Sequence, residues 1–149
     1  MLLAAWLFLP TFMQAQVVDT VLNKVSSEPF YFSVPVPDGN YKVLVTLGAA
    51  KKAGHTVVRA ESRRLMVESC TTKKRQFETY RFIVNKRSPE IAEGKRVSLK
   101  PRELGYLNWD DMLTLEFNGS APAVKSIHIE PDTTATTIFL CGNSTVVDQ

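Results

Sequence analysis

Residues Phe30 to Gly48 read FYFSVPVPDGNYKVLVTLG. Two alternating runs flank a turn-forming tetrapeptide. Phe30, Phe32 and Val34 alternate with Tyr31 and Ser33, and Tyr41, Val43, Val45 and Leu47 alternate with Lys42, Leu44 and Thr46. Successive side chains of an extended chain point to opposite faces. A two-residue period with one apolar face therefore marks a half-buried antiparallel strand. Between the runs, Pro37-Asp38-Gly39-Asn40 supplies turn chemistry.

The same period recurs downstream. Phe82 and Val84, Val97 and Leu99, then Leu113, Leu115 and Phe117, and finally Ile127 and Ile129 each keep an apolar row with polar residues between. Turn signals separate the runs at Lys52-Ala53-Gly54, Ser88-Pro89 and Asn118-Gly119. No stretch sustains a helical period of useful length. Short strands at regular spacing predict an all-β fold, a β-sandwich bounded at about Val17 to Pro131. At about 25 cal/mol per Å² of buried apolar area, eight paired strands outweigh their ordering entropy.

Composition agrees with one globular domain. The chain has 149 residues, 44% hydrophobic and 22% charged. Its net charge of +3, from 18 basic and 15 acidic residues, is too small to imply nucleic-acid binding. Two cysteines make neither a disulfide framework nor a Cys-rich zinc site, and His55 and His128 share no metal-ligand spacing. No metal and no cofactor is expected.

Met1 to Gln16, MLLAAWLFLPTFMQAQ, is apolar through Met13 and carries no charge. It falls short of the roughly 20 residues of a membrane span. With Ala15 placed for signal-peptidase cleavage, residues 1–16 read as an export signal, and the mature protein as periplasmic or secreted, with no membrane partner. The basic residue that usually precedes such a run is missing. A buried N-terminal helix or an uncleaved anchor is the alternative.

After Pro131 the character changes. Residues 132–136, Asp-Thr-Thr-Ala-Thr, read as a short linker. Ile138 to Cys141 is continuously apolar, as in a strand covered on both faces. Such a strand has no parallel neighbours in a small sandwich. The sequence thus reads as the front of a longer protein, with Ile138 to Gln149 unsatisfied in this chain.

Thr137 to Gln149, TIFLCGNSTVVDQ, resembles the first motif block of SGNH (GDSL-type) hydrolases, closest to the rhamnogalacturonan acetylesterase branch. The preceding region resembles the N-terminal module of Bacteroidetes members of that group, through Phe30 to Gly48, AESRRLM from Ala60 to Met66, and LTLEFNG from Leu113 to Gly119. The resemblance implies a galactose-binding-like jelly-roll followed, from residue 137, by the start of an α/β hydrolase domain. It implies a secreted esterase that deacetylates pectic polysaccharide.

On that resemblance Ser144 falls at the nucleophile, and its backbone N–H also donates to the oxyanion. Gly142 allows the tight turn that exposes the serine. Asn143 departs from the usual Asp of the block, a residue outside the catalytic triad. The other reading of Ser144 is an ordinary helix N-cap. The family's remaining oxyanion donors, a Gly and an Asn, and its Asp-x-x-His base are expected in a later stretch of chain. Neither His55 nor His128 has that spacing, so these 149 residues alone are expected to be inactive. The alternative class is a non-catalytic carbohydrate-binding module.

Other residues carry sharper and blander readings side by side. Arg59, Glu61, Arg63, Arg64 and Glu68 form a dense charge cluster. Guanidinium groups suit a sugar-acid ligand, and Arg63 and Arg64 are candidate glycan contacts. Cross-strand ion pairing, or docking onto the catalytic domain, is the plainer reading. Trp109 is a candidate for stacking on a sugar ring, or a core-edge aromatic. Asp110 and Asp111 lack a known calcium-loop pattern. Lys73, Lys74 and Arg75 read as a solvated turn. Cys70 and Cys141 lie in different modules, which disfavours a disulfide between them.

Overall fold

The computed structural model of the chain describes residues 17–139. Its principal strands are β1 (Val18–Val25), β2 (Phe30–Pro35), β3 (Gly39–Leu47), β4 (Gly54–Ala60), β5 (Arg64–Thr72), β6 (Glu78–Lys86), β9 (Met112–Ala121) and β10 (Ala123–Pro131). They form two four-stranded sheets, ordered β1-β10-β3-β6 and β2-β9-β4-β5. Every neighbouring pair is antiparallel. Except at the β4–β5 hairpin, each connection between these strands carries the chain from one sheet to the other. A small ribbon, β7 (Glu90–Ala92) with β8 (Lys95–Arg96), and a 3-10 turn at Pro101–Glu103 occupy the long β6–β9 connection.

The alternation dictates the core. Tyr41, Val43, Val45 and Leu47 of β3 point inward with Val84, Ile127 and Ile129 of their sheet. Phe30, Val58, Leu113, Leu115 and Phe117 face them from the other sheet. Phe30 and Phe117, directly opposed in register, pack their rings at 5.1 Å. The result is one continuous buried cluster between two sheets, which is an all-β sandwich.

Two local expectations fail for identifiable reasons. Val97 and Leu99 alternate but belong to no strand. The Val97 amide donates to the Pro89 carbonyl at 2.8 Å, one bond beyond the β7–β8 ribbon, and the two side chains line a surface groove instead. Asn118-Gly119 is not a hairpin turn but a bulge inside β9, where pairing with β4 shifts between Ala121↔His55 and Asn118↔Val57. The chain reverses three residues later, around Pro122. Gly119 is required at the bulge. Its φ is +115°, and a Cβ there would stand 2.2 Å from the His55 carbonyl oxygen.

Thr137–Phe139, the described part of the apolar run, lies outside both sheets. Ile138 and Phe139 remain 78% and 65% exposed.

A Gly119→Ala substitution is expected to cost at least about 2 kcal/mol, because it combines the left-handed backbone with backbone overlap. Gly94→Ala has a positive φ but open space around the new methyl, and is expected to cost about 1 kcal/mol. Urea midpoints of the two variants check the difference. Equal losses would remove the close approach as the cause.

Candidate functional site

One end of the sandwich gathers four pieces of chain around an open groove of about 720 Å³. These are the turn after β4, the end of β6, the loop running from Val97 to Trp109, and Thr137–Phe139. The groove brings together Arg63, Arg64 and Trp109, the three residues singled out as glycan contacts. It adds Arg87, Tyr106 and Phe139, which the sequence did not mark.

The β4–β5 turn is built on a buried carboxylate. Glu61 and Ser62 both adopt left-handed backbone, with φ of 49° and 74°. The Glu61 amide donates to the Thr114 carbonyl at 3.0 Å, and the Thr114 amide donates to Glu61 Oε1 at 3.0 Å. The side chain thus replaces the backbone carbonyl of a further strand residue and extends the β4–β9 ladder. Burial pushes the Glu61 carboxyl up to about 7. The Thr114 amide, Arg64 and Lys86 pull it down, and Asp110 adds to the rise.

Strand register supplies the second support. β3 and β6 pair so that Asn40 stands opposite Asn85. Asn85 Nδ2 donates to Asn40 Oδ1 at 2.7 Å, while Asn40 Nδ2 donates to the Ala135 carbonyl and to Thr137 Oγ1. The Asp132 amide donates to the Asn40 carbonyl at 2.8 Å. Asp132 also accepts from the Thr134 hydroxyl and amide, and these hold its carboxyl below the usual range. The segment expected as a linker is therefore fastened to the start of β3, and it delivers Phe139 to the groove wall.

The same asparagine pair orients two arginines. Arg64 Nη1 donates to the Asn85 carbonyl at 2.7 Å, and Arg87 Nε donates to Asn85 Oδ1 at 3.0 Å. The Arg87 guanidinium lies 4.7 Å from the Phe139 ring centre. Arg63 lies 5.3 Å from the Tyr106 ring centre and donates to its hydroxyl at 3.3 Å. The cross-strand ion pairs expected of this cluster do not form. Among the described residues the ion pairs are Lys42–Glu130, Lys86–Asp38, and His128 with Asp19 and Glu130. The tight turn is the reason: Glu61 is folded back onto Thr114, out of reach of a salt bridge to Arg63 or Arg64.

Lys86 ends the inward row of β6, and its side chain is 2% exposed. Its ammonium donates to Asp38 at 3.0 Å, and Asp38 also takes the Ser88 amide and hydroxyl. Burial alone would raise the Asp38 carboxyl, but these donors outweigh it and hold it below the usual range. The pair ties β6 to the turn before β3. Trp109 takes a left-handed backbone, with φ of 59°, and is 39% exposed on the groove rather than at the core edge. Asp110 next to it accepts the Met112 amide at 2.8 Å.

The histidines stand elsewhere. His55 is the second residue of β4, at the opposite end from Glu61. The Ser120 amide donates to its Nδ1 at 3.2 Å, so Nε2 carries the proton and donates to Ser69 Oγ at 3.3 Å. That tautomer cannot take a proton from Ser69. His128 bonds Asp19 at 2.6 Å on the outer face of its sheet, and that contact raises its pKa. Among the described residues no three His, Cys, Asp or Glu side chains group to hold a metal. Nor is any helix there long and apolar enough to cross a membrane. Cys70 is buried. Gly142, Asn143, Ser144 and Cys141 lie outside the described residues, as does the 1–16 segment.

Comparison with protein-family models, curated proteins and solved structures found no match.

The buried Glu61 makes stability depend on pH. Its folded value near 7 exceeds the ordinary 4.5. Between those values the folded state keeps a proton that the unfolded state has lost, so stability falls as pH rises from about 4.5 to 7. Glu61→Gln keeps an acceptor for Thr114 and removes this slope. After discounting for solvent screening, the variant is expected to gain about 1–2 kcal/mol over wild type between pH 4 and pH 8. Urea midpoints across that range check it, and parallel pH curves would refute the assignment.

Proposed function

We propose that the chain is the front part of a secreted carbohydrate esterase of SGNH type, acting on acetylated pectic polysaccharide. The sandwich is its non-catalytic module, of galactose-binding-like jelly-roll type, and Ser144 is the nucleophile of the domain that begins at residue 137. The observation that carries the reading is the Gly142-Asn143-Ser144-Thr145-Val146 block, which follows the last sandwich strand after a short linker and an apolar run. Strand order supports the module. With the eight principal strands numbered consecutively, the sheets run 1-8-3-6 and 2-7-4-5, the order of two interleaved Greek keys in a jelly roll.

In the proposed reaction Ser144 Oγ attacks the acetyl carbonyl carbon while a histidine takes its proton. The backbone N–H of Ser144 helps to hold the oxyanion. The sugar hydroxyl leaves with that proton, and water then releases acetate from the acyl-enzyme. The base comes from an Asp-x-x-His in a longer chain. His55 holds the wrong tautomer for its serine neighbour, and His128 is engaged by Asp19.

A second reading, a non-catalytic carbohydrate-binding module, is favoured by the groove itself, which places an exposed Trp109 and Tyr106 beside three arginines.

General-base assistance is worth roughly 10²–10⁴-fold, and triad members act as a unit. Residues 1–149 are therefore expected to hydrolyse an aryl acetate no faster than their Ser144→Ala variant. A longer chain carrying the Asp-x-x-His is expected to turn over, and to lose that activity on the same substitution. Equal rates for the long chain and its Ser144→Ala variant would overturn the esterase reading.

A further inference from the structure

We infer that the groove at the Asn40–Asn85 end of the sandwich is a binding site for a uronate-bearing glycan, with Arg63 and Arg87 receiving the sugar carboxylate and Trp109 the sugar ring. The inference concerns the sandwich alone and does not depend on Ser144.

Three observations lead to it. First, the groove arginines have no carboxylate partners. Arg63 contacts the Tyr106 ring and hydroxyl, and Arg87 contacts the Phe139 ring and the Asn85 amide oxygen. Among the described residues their other guanidinium N–H groups meet no protein acceptor, and neither enters an ion pair. Guanidinium groups held in place by neutral contacts, with N–H groups to spare, are suited to bidentate capture of a carboxylate from outside.

Second, the groove lining holds three arginines, Arg63, Arg64 and Arg87, against two carboxyl groups, Glu61 and Glu103, each of which accepts a backbone amide. Glu61 is buried, with Oε1 accepting the Thr114 amide. Glu103 Oε2 accepts the Lys100 amide across the 3-10 turn. Cationic groups therefore outnumber carboxyl groups around the groove.

Third, aromatic groups are available, with Trp109 39% and Tyr106 42% exposed. Trp109 takes a left-handed backbone in the loop before β9 and lines the groove. Tyr106 is held by Arg63. A free phosphate or acetate would use only the arginines. An uncharged sugar would use only the aromatics. A uronate residue uses both, and a volume of about 720 Å³ is in the range of small-ligand sites.

The test is isothermal titration of the 149-residue chain with trigalacturonate, with neutral galactotriose of the same length, and with acetate alone. The site predicts binding of trigalacturonate, weaker as salt rises, and at least about tenfold weaker binding of the other two. Arg63→Ala and Arg87→Ala are each expected to weaken trigalacturonate about tenfold or more. Trp109→Ala is expected to weaken it similarly, and Trp109→Phe to recover part of the loss. Thermal melts matching wild type show that each variant is folded. Arg63→Lys keeps the charge without the fork and is expected to fall between wild type and Arg63→Ala.

Equal affinity for the acidic and neutral trisaccharides would overturn the carboxylate site. So would folded variants that bind like wild type. No binding of trigalacturonate would also overturn it, and self-association that these substitutions abolish would make the groove a protein-docking face instead. Oligouronate binding and Ser144-dependent hydrolysis are separate readouts, so either inference can fail while the other stands.

Discussion

The register of β3 is the constraint on which both the core and the candidate site depend. β3 lies inside its sheet, paired with β10 on one side and β6 on the other. Its phase places Tyr41, Val43, Val45 and Leu47 inward, where each is essentially inaccessible to water. A slip of one residue would turn Lys42, Leu44 and Thr46 into the core, which burial energetics forbid. The same phase sets Asn40 across from Asn85. From that pair hang the 132–137 segment, Arg64 and Arg87. The hydrophobic effect fixes the register, and the register places the polar groups.

The groove end therefore contrasts with the interior that supports it. Lys86 finishes an apolar row yet is buried, and its charge is answered by Asp38. Glu61 is a carboxyl doing the work of a strand carbonyl. The charged groups that structure needs are satisfied internally at this end, while Arg63 and Arg87 are held by aromatic and amide contacts and left without an anion. Burying a charge without a partner is costly. Leaving a guanidinium unpaired at an open groove is not, and it leaves that group available to a ligand.

The strands that were legible are those with at least five residues of unbroken alternation. β2 and β3 alternate throughout, as do Leu113–Phe117 of β9 and Ser126–Glu130 of β10, and Phe30, Val43, Leu115 and Ile127 fall where the two-residue period puts them. β5 was not legible, because the pairing shifts between Val58↔Val67 and Thr56↔Cys70 break its phase. β1 lies at a sheet edge and is largely exposed, so its burial leaves little pattern. The inward row of β6 ends in Lys86, which reads as polar until its partner is seen. At the site, Arg63, Arg64 and Trp109 stood out by residue type. Asn40 and Asn85 did not, since their meaning is a contact across 45 positions of sequence. Arg87 and Tyr106 acquire theirs only through Asn85 and Arg63. The proposed nucleophile, Ser144, rests on sequence alone.

The chain thus joins the sandwich to an arginine-rich, aromatic end that includes Thr137–Phe139, and the esterase and binding readings share that geometry. Amide chemical-shift mapping of the 149-residue chain during titration with trigalacturonate tests it most directly. Shifts concentrated at residues 61–64, 85–87, 104–109 and 137–139 are the expected result. Shifts centred instead on the opposite end, around His55, Ser69 and Ser120, or spread evenly over the outer sheet faces, would contradict the placement of the site.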